Sequence, residues 1–398
     1  MVNVKRFALV LGLACLVPVI TVSAGMEPGE FKLGGKGYFF YNHSMSDGGA
    51  GQDNEFDVSR LYFGAKFQIS EKFMAQYMTD IAHEGGGEFE SFAKYALLDW
   101  KMDALSQWNG HLVLGLQSTY NWKIPEAAWG YRSIRYSPME SFGKYFSSAR
   151  GDYEDMLEAW ADSLYDEDTS ADDAKADEVM SQMNNFHDVS TSKMASSADL
   201  GVALKLKPTD RHYVYLMIRN GGGYKKAETD MYKNYQARVG FYLLENKELH
   251  FSAMAELEPI EGHDKDGAVK RRQNLQWDLM AAYEQKGKFL IAGNVNAKKF
   301  PGVIDDITAT CLSGFGNVYL AANKLKALGR VDLYKTGFND AQMNPAMPKM
   351  ESNATLIIAG LDWMPDKKVH IMPNVQILSF EGEGDSVKDF YIHVEFKF

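Results

Sequence analysis

The sequence predicts an all-β chain whose strands cross a membrane and close into an antiparallel barrel of about 16 strands. Three observations predict it. Apolar and polar residues alternate with a period of two along many segments, and short and long connections follow one another in turn. Beyond the first 24 residues, no apolar stretch approaches the roughly 18 residues of a membrane helix.

The alternation is clearest at the end of the chain, where Phe390, Ile392, Val394, Phe396 and Phe398 stand against Asp389, Tyr391, His393, Glu395 and Lys397. In a strand these two sets point to opposite faces, which assigns the apolar set to lipid and the polar set to a lumen. Exposed to water at a chain end, the apolar face would be an aggregation hazard. The same pattern recurs in Leu61, Phe63, Ala65, Phe67 and Ile69, in Leu200, Val202, Leu204 and Leu206, and in Val214, Leu216 and Ile218. It recurs again in Tyr235 to Leu243, Leu249 to Ala255 and Leu275 to Tyr283. Segments near Leu112, Phe289, Val331, Ile357 and Val369 also read as strands, with less regular alternation.

Short turns fall at Ser70-Glu71-Lys72, Pro208-Thr209-Asp210, Glu245-Asn246-Lys247, Gln285-Lys286-Gly287 and Pro365-Asp366-Lys367. Longer polar loops are expected at His43 to Asn54, Gly221 to Asp230, Pro259 to Arg272, Pro301 to Ile307 and Phe338 to Met350. Short connections at one end and long ones at the other are a property of membrane barrels, and a barrel this wide leaves an aqueous lumen.

The chain starts with Lys5 and Arg6, an apolar run from Phe7 to Val22, and Val22-Ser23-Ala24 before Gly25, the layout of a secretory leader, with cleavage expected after Ala24. Residues 25–398 then form the barrel. Cys15 goes with the leader, and Cys311 remains as a single thiol, read as buried or lipid-facing. Net charge is −11, which argues against nucleic acid as a partner, and mean hydropathy is −0.31. Aromatic residues make up 13% of the chain, as interfacial girdles require, though a soluble β protein can match that value.

One connection stands apart, because from Asn121 to about Ser196 the alternation stops for far longer than an ordinary loop. Its first part is aromatic and basic, with Trp122, Lys123, Trp129, Tyr131, Arg132, Arg135, Tyr136, Lys144, Tyr145 and Arg150. If this part lines a constriction, Lys123, Arg132, Arg135, Lys144 and Arg150 are the candidate pore residues; the alternative is pairing of the arginines with acids inside the loop. The second part, Asp152 to Phe186, has Met156, Leu157, Trp160 and Leu164 at helical spacing, with Asp152 placed to cap a helix. Its acidic run, Asp166 to Glu178, reads as a solvated helix face or flexible segment rather than as a cluster gathering divalent cations near lipopolysaccharide, and no metal site is expected.

The segment Glu55 to Lys66, the stretch Ala75 to Asp80, Gly115-Leu116-Gln117 leading to Asn121 and Pro125, Gly130 to Ile134, and Ser197 to Val202 together resemble the phosphate-selective porin superfamily of the O and P type. The terminal Phe390, Ile392, Val394, Phe396, Phe398 strand resembles the signal by which outer-membrane proteins reach the barrel-assembly machinery. These resemblances imply a bacterial outer-membrane porin, homotrimeric, contacting lipid and lipopolysaccharide, with the third extracellular loop folded inward to narrow the pore. In phosphate-specific members, selectivity rests on a ladder of lumen arginines and constriction lysines. Here the inward candidates mix Arg60, Lys66, Arg211, Arg219, Arg238 and Arg330 with Asp80, Glu256, Asp278, Glu284, Asp332 and Glu395, so the charges are of both signs and weak selectivity is expected.

No phosphate-loop lysine, Gly-x-Ser-x-Gly or His-Glu-x-x-His pattern is present, and Asp264-Lys265-Asp266-Gly267 lacks the later ligands of a calcium loop. The expectation is therefore a cofactor-free, non-enzymatic channel for small hydrophilic solutes and ions. The alternatives are an anion-, phosphate- or sugar-specific channel of the same fold, an outer-membrane enzyme, or a secreted carbohydrate-binding β protein.

Overall fold

The computed structural model describes residues 26–46, 54–84, 88–165, 194, 196–225, 227–228, 231–244, 246–263, 269–301, 307–338, 353–381 and 386–398. The leader expected at residues 1–24, the acidic run Asp166 to Glu178 and most of Phe338 to Met350 lie outside these residues. Sixteen strands follow in order: β1 Phe31–Ser44, β2 Glu55–Gln68, β3 Phe73–Glu84, β4 Glu88–Lys101, β5 His111–Ser118, β6 Ala198–Leu206, β7 His212–Arg219 and β8 Asn234–Leu243, then β9 Leu249–His263, β10 Val269–Gln285, β11 Phe289–Phe300, β12 Ile307–Ala321, β13 Leu325–Lys335, β14 Ala354–Asp366, β15 Val369–Phe380 and β16 Ser386–Lys397. Each pairs antiparallel with its sequence neighbours, and β1 pairs with β16, which closes the barrel and leaves no edge.

Apart from the three-residue connection after β3 and the nine-residue one after β4, long connections follow odd-numbered strands and short ones even-numbered strands, so the two chain ends share the rim with the short turns: Phe31 pairs with Phe67, next to the turn after β2. Two connections on that rim escaped the sequence reading, the one holding the 3-10 helix Asp103–Trp108 and the turn between β12 and β13. The loop expected at Pro259 to Arg272 is corrected. β9 and β10 stay paired from Tyr283↔Leu249 to Val269↔His263, including Pro259↔Gln273 and Glu261↔Arg271. Their polar ends read as loop because a ladder extended beyond an apolar belt no longer alternates, while its backbone pairing continues unchanged.

Outside, exposed Phe56, Phe89 and Tyr235 ring the loop end, and Phe31, Phe67, Phe241 and Trp363 ring the turn end; Leu200, Val202, Ile291, Leu312 and Ile357 lie between. This is the apolar band with aromatic girdles of a membrane-spanning barrel. Gly35 and Gly37 sit opposite Phe398 and Phe396 at the closing seam, where any Cβ would run into those rings and, at Gly35, into the Tyr62 carbonyl. Their hydrogens let Phe398 and Phe396 lie flat on the wall, stacked on Phe63 and Phe39 at 6.5 and 5.5 Å between ring centroids.

The inner face is not uniformly polar. Ala292, Phe315, Leu328, Leu356, Ile358 and Met372 on β11 to β15 point inward and are buried against Trp129, Phe142 and Phe146 of the long connection. Val113 on β5 is likewise buried beside Tyr120. The strands with irregular alternation, β5, β11, β13, β14 and β15, place inner residues in these apolar clusters, since positions packed against the connection need no polar residue. Cys311 is buried in the same cluster.

The connection between β5 and β6 forms two helices, α1 Tyr120–Trp129 and α2 Pro138–Tyr165. α1 ends at Gly130, whose φ of 74° lets its N–H reach back to the Glu126 carbonyl. α2 begins 14 residues before the expected cap, so Asp152 is interior and caps nothing. Pro138, preorganised for the first helical position, starts the helix, and burial of Phe142 and Phe146 carries it through Gly151. Met156 packs on the edge of the cluster; the side chains of Leu157, Trp160 and Leu164 lie outside what is described.

Candidate functional site

Hydrogen bonds from the long connection reach around the inner wall, which places it within the lumen. The Tyr120 N–H donates to Gln236 on β8 at 2.6 Å, and Asn121 donates to Glu256 on β9 at 3.3 Å. The Arg132 Nε donates to the Tyr62 hydroxyl on β2 at 3.2 Å, and the Ser133 hydroxyl to Glu395 on β16 at 3.3 Å. Gln376 on β15 donates to the Ile134 carbonyl at 3.2 Å, and Arg330 on β13 donates to the Tyr136 carbonyl. On the returning limb, Gln276 of β10 donates to the Met194 carbonyl at 2.6 Å.

The β11–β14 side is filled by apolar packing, and two cavities lined by described residues lie on the side of β1 to β4 and β16. A 480 Å³ cavity lies toward the turn end, lined by Tyr38, Tyr62, Lys94, Trp122, Arg132 and Glu395 among others. A 260 Å³ cavity lies toward the loop end, with Tyr38, Arg60, Arg132, Arg135, Tyr136 and Tyr391 in its wall. Tyr38 and Arg132 belong to both, so they form the partition between them.

Arg132 is held on every side. It donates to both Glu140 oxygens at 2.6 and 3.0 Å and to Glu126 at 3.2 Å, with Trp122 and Tyr136 rings 5.2 and 5.0 Å from the guanidinium carbon. Burial tends to raise the Glu140 carboxyl, but Arg132 outweighs it and holds the carboxyl below its ordinary range. Glu126 goes the other way: burial dominates and lifts its carboxyl, helped by the Glu140 charge and opposed by Arg132. Burial would likewise raise the Tyr136 phenol, but Arg60 and Lys144, the latter 4.1 Å from the ring centroid, bring it down to about 8.

A second knot of charge lies on the neighbouring wall. Asp80 is fully buried and accepts from Arg60 at 2.6 Å, Lys94 at 3.4 Å and the Tyr224 hydroxyl at 2.6 Å. The Lys94 ammonium sits 4.7 Å from the Tyr62 ring centroid and 5.4 Å from those of Trp122 and Tyr224.

The sequence candidates separate into groups. Arg132 and Arg135 line the cavities, and Lys144 lies over Tyr136. Lys123 faces lumen water, but the surrounding barrel and then Lys205, Lys207 and Lys66 push its ammonium down to about 8. Arg150 is half-buried on α2, away from the lining of both cavities. Arg60, Lys66, Arg219, Arg238, Asp278 and Arg330 all occupy inward register positions, with differing surroundings. Arg60 lines the smaller cavity, whereas Arg219 pairs with Asp199 at 2.6 Å and with Glu256, Arg238 pairs with Asp278, and Arg330 pairs with Asp332, all buried beneath the connection. Lys66 is exposed toward the turn end. Arg132 therefore pairs with acids inside its own loop while also lining the open space.

Tyr38, Lys94, Glu126 and Glu140 were missed. Lys94 carried a signal: it is a lone charge in the apolar run Phe92 to Leu98, at a bulge opposite Met78 and Thr79. Glu126 and Glu140 gave none, because a carboxylate's partner six or eight residues away across a turn has no periodic signature. Among the described residues, no cluster suited to a metal ion is present.

No family model and no curated protein matches the chain. Solved barrels are similar in fold. They include the outer membrane channel DcaP of Acinetobacter baumannii, at 9% identity over 94% of this chain and 100% of that one, TM-score 0.59. An anion-selective porin from Comamonas acidovorans is 11% identical over 93% of this chain and 100% of that one, TM-score 0.57. In vitro folded OmpT of Vibrio cholerae, in a trimer form, is 11% identical over 94% of this chain and 100% of that one, TM-score 0.54.

Proposed function

We propose that the chain is a non-enzymatic porin of the bacterial outer membrane, a passive diffusion channel for small hydrophilic solutes and ions, exported by residues 1–24 and assembled as a homotrimer. The observation that carries this reading is the closed sixteen-strand barrel with an apolar exterior, whose lumen keeps cavities bordered by charged and aromatic side chains beside an inward-folded connection. That similar barrels include an anion-selective porin and a trimer supports it. On this reading Arg132 and Tyr38 form the narrowest point, and Arg60, Lys94, Arg135 and Lys144 set the local charge. Paired charges of both signs along the wall support weak overall selectivity.

The test is conductance of the detergent-purified, folded protein in a planar bilayer under a salt gradient. Ohmic steps with a small reversal potential are expected. Absence of steps from protein whose barrel is folded, judged by altered gel migration before and after boiling, would refute the diffusion reading.

A further inference from the structure

The 260 Å³ cavity on the loop side of Arg132 differs from the larger one in its charge and its walls. Three guanidinium groups border it, those of Arg60, Arg132 and Arg135, and no carboxylate is in its lining. Two of these are already compensated: Arg60 by Asp80, and Arg132 by Glu140 and Glu126. Arg135 is different. Its Nε donates to the Ser141 hydroxyl at 3.1 Å and its Nη1 reaches the Gln376 side-chain oxygen at 3.5 Å, both neutral groups; no carboxylate among the described residues pairs with it. A half-buried guanidinium without a counter-charge is a receptor for an anion, and its fork geometry suits a carboxylate.

The walls add a second requirement. Tyr391 and His393 stack at 5.0 Å and 27°, and Phe40 lies 6.0 and 5.9 Å from them. With Tyr38 and Tyr136, they make most of the remaining surface aromatic. Such faces favour a flat apolar body over a compact, strongly hydrated ion. The volume is below the roughly 300–1,000 Å³ of pockets for drug-sized molecules, which limits the occupant to about one ring.

We infer that this cavity is a binding subsite for small carboxylates carrying a planar ring, with Arg135 receiving the carboxylate and the Phe40, Tyr391 and His393 rings contacting the body. The inference rests on the channel reading for its physiological sense, but not for its test. Equilibrium binding to the detergent-folded protein is measured calorimetrically with benzoate, benzyl alcohol and inorganic phosphate, so that a conduction failure and a binding failure are distinguishable.

Saturable benzoate binding is expected, at least tenfold tighter than that of either other probe, and Arg135→Gln weakens it tenfold or more. Equal binding of benzyl alcohol would overturn the role of charge, and tighter binding of phosphate would overturn that of the rings. No benzoate binding to the wild type, or unchanged benzoate binding by folded R135Q, would overturn the assignment. The wild-type comparison stands by itself should R135Q fail to fold.

Discussion

Replacing Arg132 by glutamine removes the group that divides the two cavities and neutralises the carboxylates of its own loop. Glu140 loses both hydrogen bonds and Glu126 loses one. Stranding a buried carboxylate costs about 3–5 kcal/mol. This part of the loop is still held by the Ser133 to Glu395 bond, the Gln376 to Ile134 carbonyl bond and the Arg330 to Tyr136 carbonyl bond, and by burial of Tyr131 and Ile134 in the apolar cluster. The hydrogen bonds contribute about 0.5–1.5 kcal/mol for the neutral one and about 1.5–3 kcal/mol for each charged one, so the penalty is comparable to the polar anchorage, while the apolar packing keeps the connection inside the barrel. R132Q channels are therefore expected to fluctuate between the wild-type conductance and a larger one in single-channel recordings, while the barrel itself stays folded. The triple variant R132Q/E126Q/E140Q removes the stranded charge and is expected to be quieter than R132Q. The pH dependence has a definite sign. In the wild type the depressed Glu140 carboxyl contributes stability that is present above its unfolded value of 4.5 and lost as pH falls through the lower folded value. In R132Q that contribution is absent, and acidification quiets the channel by protonating Glu140. An R132Q channel as steady as wild type, or a triple variant as noisy as R132Q, would refute the reasoning.

Raising pH from 7 to 9 turns Tyr136 from neutral to anionic and Lys123 from cationic to neutral, since both titrate at about 8. Both changes have the same sign, so the reversal potential under a salt gradient is expected to move toward cation preference, and Tyr136→Phe to reduce the movement. Arg330→Leu leaves Asp332 fully buried without its cation, with a destabilisation of about 3–5 kcal/mol, whereas R330L/D332N recovers most of it; urea unfolding from detergent measures both. Gly35→Val forces a side chain into the Tyr62 carbonyl and the Phe398 ring, and overpacking of about 1–3 kcal/mol at the closing seam should lower the yield of heat-modifiable barrel on gels.

The amino-acid sequence by itself determined a barrel of about 16 strands and the outward face of those that alternate cleanly, because lipid imposes a period of two wherever water lies on the other side. It also marked the long connection by the failure of that period, and placed Arg132 and Arg135 among the pore candidates. Tertiary structure decided what the lumen contains. Whether an inward position faces water or the folded connection depends on contacts between segments far apart in sequence, as with Phe142 on Tyr334 or Trp129 on Phe315. For that reason the strands near Val331 and Ile357, which carry Leu328 and Leu356 on the inner wall, alternate less regularly, and Arg219, Arg238 and Arg330, read as lumen charges, lie buried in ion pairs. The same cause hid the site. Arg132 is compensated and Arg135 is not, although they sit three residues apart in one basic, aromatic stretch; only the return of α2 brings Glu140 to the first and leaves the second beside Ser141 and Gln376.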